Sequence, residues 1–185
     1  MPVARQNPTP PIDTPASTIA SARAGDTAAL GALYERHARE LLAIAFRLLQ
    51  SVPDAEDVVH DVFVGLPEAL RRYEERGAFA SWLRKVTARV ALARLRQRSE
   101  RDPVSLEDVG EPAQRQRDVE GMLSLEQAMK ALSPSLRAVV VLREIEGFSH
   151  AEVAGLLDIS VGASEVRLHR ALQALRAALT KGERE

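Results

Sequence analysis

The chain has 185 residues, with 25 Lys and Arg against 26 Asp and Glu and a net charge of −1, so it is not a uniformly basic nucleic-acid binder. Its 45% hydrophobic content suffices for a core, and few stretches read as strand, which predicts an all-α fold. No cysteine is present, which excludes disulfides and thiolate metal sites, and no run of about 18 apolar residues predicts a transmembrane helix.

Residues 1–18 are rich in Pro and Thr and lack the apolar segment of a signal peptide, so they read as a disordered tail. With neither export nor membrane signals in view, the expected compartment is the cytoplasm. Residues 19–98 read as a bundle of three or four helices. Asp26 is a candidate N-cap for a helix running to about Gln50. Pro53 suits the first turn of the next helix, and Asp54, Glu56 and Asp57 lie where its dipole favours carboxylates. Pro67 is expected to kink or end that helix. Gly77 breaks a polar stretch, and an apolar pattern with Phe79, Trp82, Leu83 and Val86 then runs to Arg98. Trp82 falls in phase with this core.

Residues 99–118 hold Pro103, Gly110 and Pro112 and little periodicity, which predicts a flexible linker between two small domains. The second domain, residues 119–185, opens with a helix from Val119 to Leu132. Ser133-Pro134 then starts a helix that Gly147 ends. Ser149 to Leu179, SHAEVAGLLDISVGASEVRLHRALQALRAAL, reads as two helices around a turn at Asp158-Ile159-Ser160. Ser149 and Glu152 have capping-box spacing. On the second helix Leu168, Leu172, Leu175 and Leu179 form one stripe, opposite Glu165, Arg167, His169, Arg170 and Gln173. A short capped helix, a tight turn and a longer helix with a polar outer face make a helix-turn-helix suited to the major groove of DNA, although an ordinary helical hairpin shares much of this pattern.

Charge is unevenly placed. Ten cations (Arg71, Arg72, Arg76, Arg84, Lys85, Arg89, Arg94, Arg96, Arg98, Arg101) stand against Glu74, Glu75 and Glu100 between residues 71 and 101. Such a stripe can meet phosphate, though a basic helix face is often only solvated.

Two blocks then combine. DAEDVVHDVFVGL (Asp54 to Leu66) precedes FASWLRKVTARVALARLR (Phe79 to Arg96), and LSPSLRAVVVLREIEGFSHAEVAGLLDISVGASEVRLHRALQALR (Leu132 to Arg176) follows. In order and separation they resemble the extracytoplasmic-function (ECF) group of bacterial RNA polymerase sigma factors, over roughly residues 20 to 180. The resemblance implies a protein without covalent chemistry, cofactor or metal, which binds core RNA polymerase and promoter DNA. It implies core docking through the helix bearing Asp54, Glu56, Asp57 and Asp61. Asp57 and Asp61, four apart on one face, can pair with arginines of a partner helix. It implies melted-strand contact by the loop and helix that follow, with Tyr73, Arg76, Arg84, Lys85, Arg89, Arg94 and Arg96. Tyr73 is the candidate for base stacking. It implies upstream duplex contact by Glu165, Val166, Arg167, His169 and Arg170, and an anti-sigma protein as a further partner.

Departures from the group's pattern include His60 in place of a common Gln, Glu165 in place of a common basic residue, and Ser164 at a usually apolar position, which predicts looser packing there. Two other readings compete. Glu56, Asp57, His60 and Asp61 have part of a di-metal carboxylate spacing, but no second copy exists. A stand-alone helix-turn-helix regulator with a sensing N-terminal bundle explains Ser149 to Leu179 but not the basic stripe.

Overall fold

Side chains that replace missing backbone partners mark most helix starts in the computed structural model, which describes residues 14–101 and 125–181. After α1 (Ala16–Arg23), Asp26 accepts from the amides of Ala28 and Ala29 and opens α2 (Thr27–Leu49). Gln50, in the left-handed region, closes α2, and Ser51 caps α3 (Val52–Leu70) by accepting from Asp54 N. α4 spans Phe79–Arg101. After α5 (Leu125–Ala131), Ser133 caps α6 (Pro134–Val140), with Pro134 at its first position. This helix widens into a π-helical turn, Val141–Ile145, and Gly147 at φ +76° ends it.

Three expectations change. Helix α1 starts at Ala16, inside the segment expected to be a tail. Helix α3 runs through Pro67 to Leu70. Pro67 forfeits the bond its N–H would give to the carbonyl of Phe63, and the fully buried Leu66 and Leu70 hold that last turn against the core in spite of it. The run from Ser135 to Glu146 is α-helical only to Val140. The rest of the expected tail, most of the 99–118 linker and the start of the expected 119–132 helix lie outside the described residues.

The fold is all-α among the described residues, as read from composition. Helices α2, α3 and α4 pack together, with α1 laid across α2 and α3. Their core is Leu33, Leu41, Ile44, Leu48, Val58, Val62, Leu66 and Leu83. In the C-terminal half, α8 (Val161–Lys181) packs on α5, α6 and α7 (His150–Leu157). The halves are not separate: α2 meets α6 and the π-turn, and α4 meets α7. Val139, Leu142, Phe148, Val153 and Leu156 belong to the same apolar cluster as the N-terminal core. A second cluster, with Ala128, Leu132, Val140, Ala171 and Leu175, seals α8.

Candidate nucleic-acid and polymerase interface

The helix-turn-helix is α7 (His150–Leu157), a turn, and α8 (Val161–Lys181). Its capping box is complete: Ser149 Oγ accepts from Glu152 N, and Glu152 Oε2 accepts from Ser149 N at 2.8 Å. Asp158 reverses the chain in the left-handed region at φ +57°. Ser160 Oγ accepts from Ala163 N at 3.1 Å and starts α8. Glu165, Val166, His169 and Arg170 stand exposed together on the outer face of α8, and Arg167 is half-buried beside them. Val166, 51% exposed, is an apolar side chain with no core role.

Ser164 does not loosen this unit. It is fully buried, and its hydroxyl lies 2.9 Å from His150 Nδ1, so a polar bond ties the second helix to the first residue of α7. The expected loosening assumed an empty polar position; His150, fourteen residues away, fills the need.

On the bundle, the acidic face of α3 and the basic face of α4 meet. Arg94 Nη2 donates to Asp57 Oδ2 at 2.6 Å, and its other nitrogens lie 3.6 Å from Asp54 and from Asp61. Arg98 reaches Asp54 at 3.4 Å. Three of the four carboxylates expected to dock on polymerase are therefore gathered around one guanidinium, which the sequence reading had placed on the melted strand. Glu56 is exposed and outside this group. A groove beside the cluster is lined by Leu49, Asp54, Asp61, Val90, Arg94 and Arg98.

The remaining cations of the stripe divide. Arg89 and Arg96 are exposed on α4. Arg84 lies 3.7 Å from Glu40, and Lys85 donates to Glu152 of α7 at 2.6 Å. Arg76 pairs with Glu74 in an exposed loop. Tyr73 is only 8% exposed. Its ring packs on Phe79 and Trp82 at centroid distances of 5.7 and 4.7 Å, and its carbonyl accepts from Arg23. Its ring is thus part of an aromatic cluster instead of a free platform, and Trp82 joins the same cluster.

Two buried groups escaped the sequence reading. His37, fully buried, shares a hydrogen bond of 3.0 Å with Thr14 and packs edge-on to Phe79; burial, then the Arg36 charge, pushes its pKa down. Glu146 pairs with Arg47 at 2.8 Å; burial pushes its carboxyl up against the pull of Arg47 and Arg84. By contrast, Lys85 and the Ser149 amide hold the Glu152 carboxyl down to about 2. Only tertiary contact brings Thr14 to His37, Arg47 to Glu146 and Lys85 to Glu152, so no local pattern reveals these pairs.

The family model for Sigma-70 region 2 matches residues 33–101, and that for Sigma-70 region 4 matches residues 122–175. The ECF RNA polymerase sigma factor SigE of Mycolicibacterium smegmatis is 32% identical over 95% of this chain and 72% of its own length. This chain belongs to the ECF sigma factors. SigM of Mycobacterium tuberculosis, another ECF sigma factor, is 30% identical over 84% of this chain and 80% of its own. Among solved structures, CnrH in complex with the cytosolic domain of CnrY superimposes with a TM-score of 0.56. It is 26% identical, over 89% of this chain and 96% of its own. The sigma factor RpoE of Bartonella quintana, in complex with the anti-sigma factor NepR, shares the fold at a TM-score of 0.58 and 24% identity, over 81% of this chain and 96% of its own. Sigma factors as a family are not enzymes. No helix of the described residues is long and apolar enough to cross a membrane.

Proposed function

We propose that this ECF sigma factor divides its work between two modules, residues 19–98 and 119–185, with 99–118 as linker. The first binds core RNA polymerase and the melted promoter strand; the second reads the upstream promoter duplex. The chain carries out no covalent step and acts in the cytoplasm with no cofactor. The observation that carries this reading is the joint presence, in family order, of the α3–α4 bundle with its opposed charged faces and of a capped helix-turn-helix. Asp57 and Asp61, both well exposed though paired with Arg94, offer outward oxygens to arginines of the polymerase, with Asp54 and Glu56 flanking them. Arg89 and Arg96, with Lys85, Arg84 and Arg76, meet strand phosphates. Tyr73 and Arg94 are left out of this set because burial and the carboxylates engage them. On α8, Arg170 bonds guanine or phosphate, Glu165 accepts from cytosine, and Val166, His169 and Arg167 complete the contact. The fold shared with RpoE of Bartonella quintana, solved with the anti-sigma factor NepR, supports an anti-sigma partner.

Copurification with core polymerase and promoter-specific run-off transcription by the reconstituted enzyme test the reading. The Asp57→Lys, Asp61→Lys double variant is expected to lose core binding while its helical circular dichroism stays unchanged; unchanged core affinity would remove this face as the dock. Tight binding to promoter duplex without core, together with no initiation, would replace the sigma reading with the stand-alone regulator.

A further inference from the structure

Residues 74–78, between α3 and α4, are all exposed, and the side-chain bonds of this loop stay within it. Arg76 pairs with Glu74, and Glu75 Oε1 accepts from Gly77 N at 2.6 Å. The direction of the loop is therefore set by its two stems. Tyr73 leads into it and Phe79 leads out; both are buried, and their ring centroids are 5.7 Å apart. Each stem is held from the N-terminal segment. Arg23, the last residue of α1, donates from Nη2 to the Tyr73 carbonyl at 2.8 Å across fifty residues of chain. Thr14 Oγ1 lies 3.0 Å from His37 Nε2, and the His37 ring meets that of Phe79 edge-on at 5.5 Å. Helix α1 is itself anchored, with Ile19 and Ala22 buried where it crosses α2 and α3. It precedes residues 33–101, which the Sigma-70 region 2 model matches.

A carbonyl that accepts from a guanidinium is held more firmly than one that accepts from a neutral donor. The Tyr73 carbonyl is the last main-chain acceptor before the exposed loop, so fixing it fixes where the loop leaves the bundle. A loop that must capture an opened strand gains from such a hold, because ordering it beforehand lowers the entropy lost on binding. We infer that α1 braces the strand-reading loop, with Arg23 as a positioning residue that acts on promoter opening through the Tyr73 backbone. The inference rests on the assignment of that loop to the melted strand. Thr14 and His37 brace the other stem, so the N-terminal segment grips the loop at both ends.

The test reconstitutes holoenzyme from the full chain carrying Arg23→Ala or Arg23→Lys. Opening of a paired promoter is followed by permanganate reactivity of its unpaired thymines. Arg23→Ala is expected to open it about tenfold less well, as loss of one charge-assisted hydrogen bond allows. Arg23→Lys keeps a charged donor for the Tyr73 carbonyl and should restore most of the loss. Core binding and helical circular dichroism should match the parent in both variants. Binding to the same promoter with its opened stretch mismatched beforehand is then measured over a range of salt. A brace leaves the salt slope of Arg23→Ala unchanged. A slope lower by about 0.7 overturns the brace, because Arg23 is then itself a phosphate contact on the strand. Normal opening by Arg23→Ala overturns it as well. So does a loss of core binding or helicity alongside opening, because Arg23 then supports the whole bundle instead of the loop. Glu74→Gly, Glu75→Gly and Arg76→Gly together separate the brace from the assignment beneath it. If that chain opens the promoter normally, the strand assignment of the loop falls and the brace falls with it. If it opens poorly while Arg23→Ala opens normally, only the brace is wrong.

Discussion

Arg94 shows how one side chain can change the meaning of two surfaces. Three carboxylates on neighbouring turns of α3 repel one another, and a single guanidinium from α4 relieves that repulsion. The pairs are largely solvated, so Arg94→Ala should cost about 1 kcal/mol or less in urea denaturation, and less still in high salt. The same variant should leave the salt dependence of single-strand binding unchanged. Arg89→Ala should reduce that slope by about 0.7, the share of one phosphate contact on a single strand. Equal slopes for the two variants would return Arg94 to the nucleic acid. His37 makes a different prediction. Its folded pKa lies below 6.5, so the unfolded chain binds the extra proton more readily. Its contribution to stability is complete above about pH 6.5 and is lost as pH falls through the window beneath. Melting temperatures between pH 7.5 and 5.5 should fall more steeply for the parent than for His37→Leu.

At the scale of the element, helix starts are legible in the sequence, whereas the partners that a helix face meets across the fold are not. Asp26, Ser133 and Ser149 each cap a helix as their neighbours in sequence predict, because a cap is satisfied within three residues. Ser149→Ala should therefore destabilise the chain by about 1 kcal/mol in urea denaturation, through loss of the acceptor for Glu152 N. Pro67 does not end α3, because a local rule meets a tertiary anchor in Leu66 and Leu70. The pairing of Arg94 with Asp54, Asp57 and Asp61 is not legible locally, because both charged stripes are visible in the sequence but the packing of α3 on α4 is not. Ser164 found its partner across the turn, and Tyr73 its partners along α4. The recognition stripe of α8 was legible throughout, since helical periodicity alone separates its leucines from Glu165, His169 and Arg170.

Over the whole molecule, the two helical domains that match sigma regions 2 and 4 share a buried apolar cluster where they meet. Weak periodicity between residues 99 and 118 marks a boundary in the chain, but it carries no information on whether the flanking halves touch. Because Val139, Leu142, Val153 and Leu156 are buried in the same cluster as the N-terminal helices, heat should unfold the full chain in one calorimetric transition. Two resolved transitions would mean that the shared cluster contributes little.

The π-helical turn at Val141–Ile145 has a further consequence, for kinship between sequences. A wide turn of this kind holds one residue more than an α-turn over nearly the same advance. A chain shorter by one residue here can close the turn as ordinary helix and still deliver Gly147, α7 and α8 in their present orientation. A single-residue gap at this point of an alignment is then conformationally silent, whereas the same gap in the first turn of α8 would rotate the exposed residues Glu165, Val166, His169 and Arg170 by about 100°.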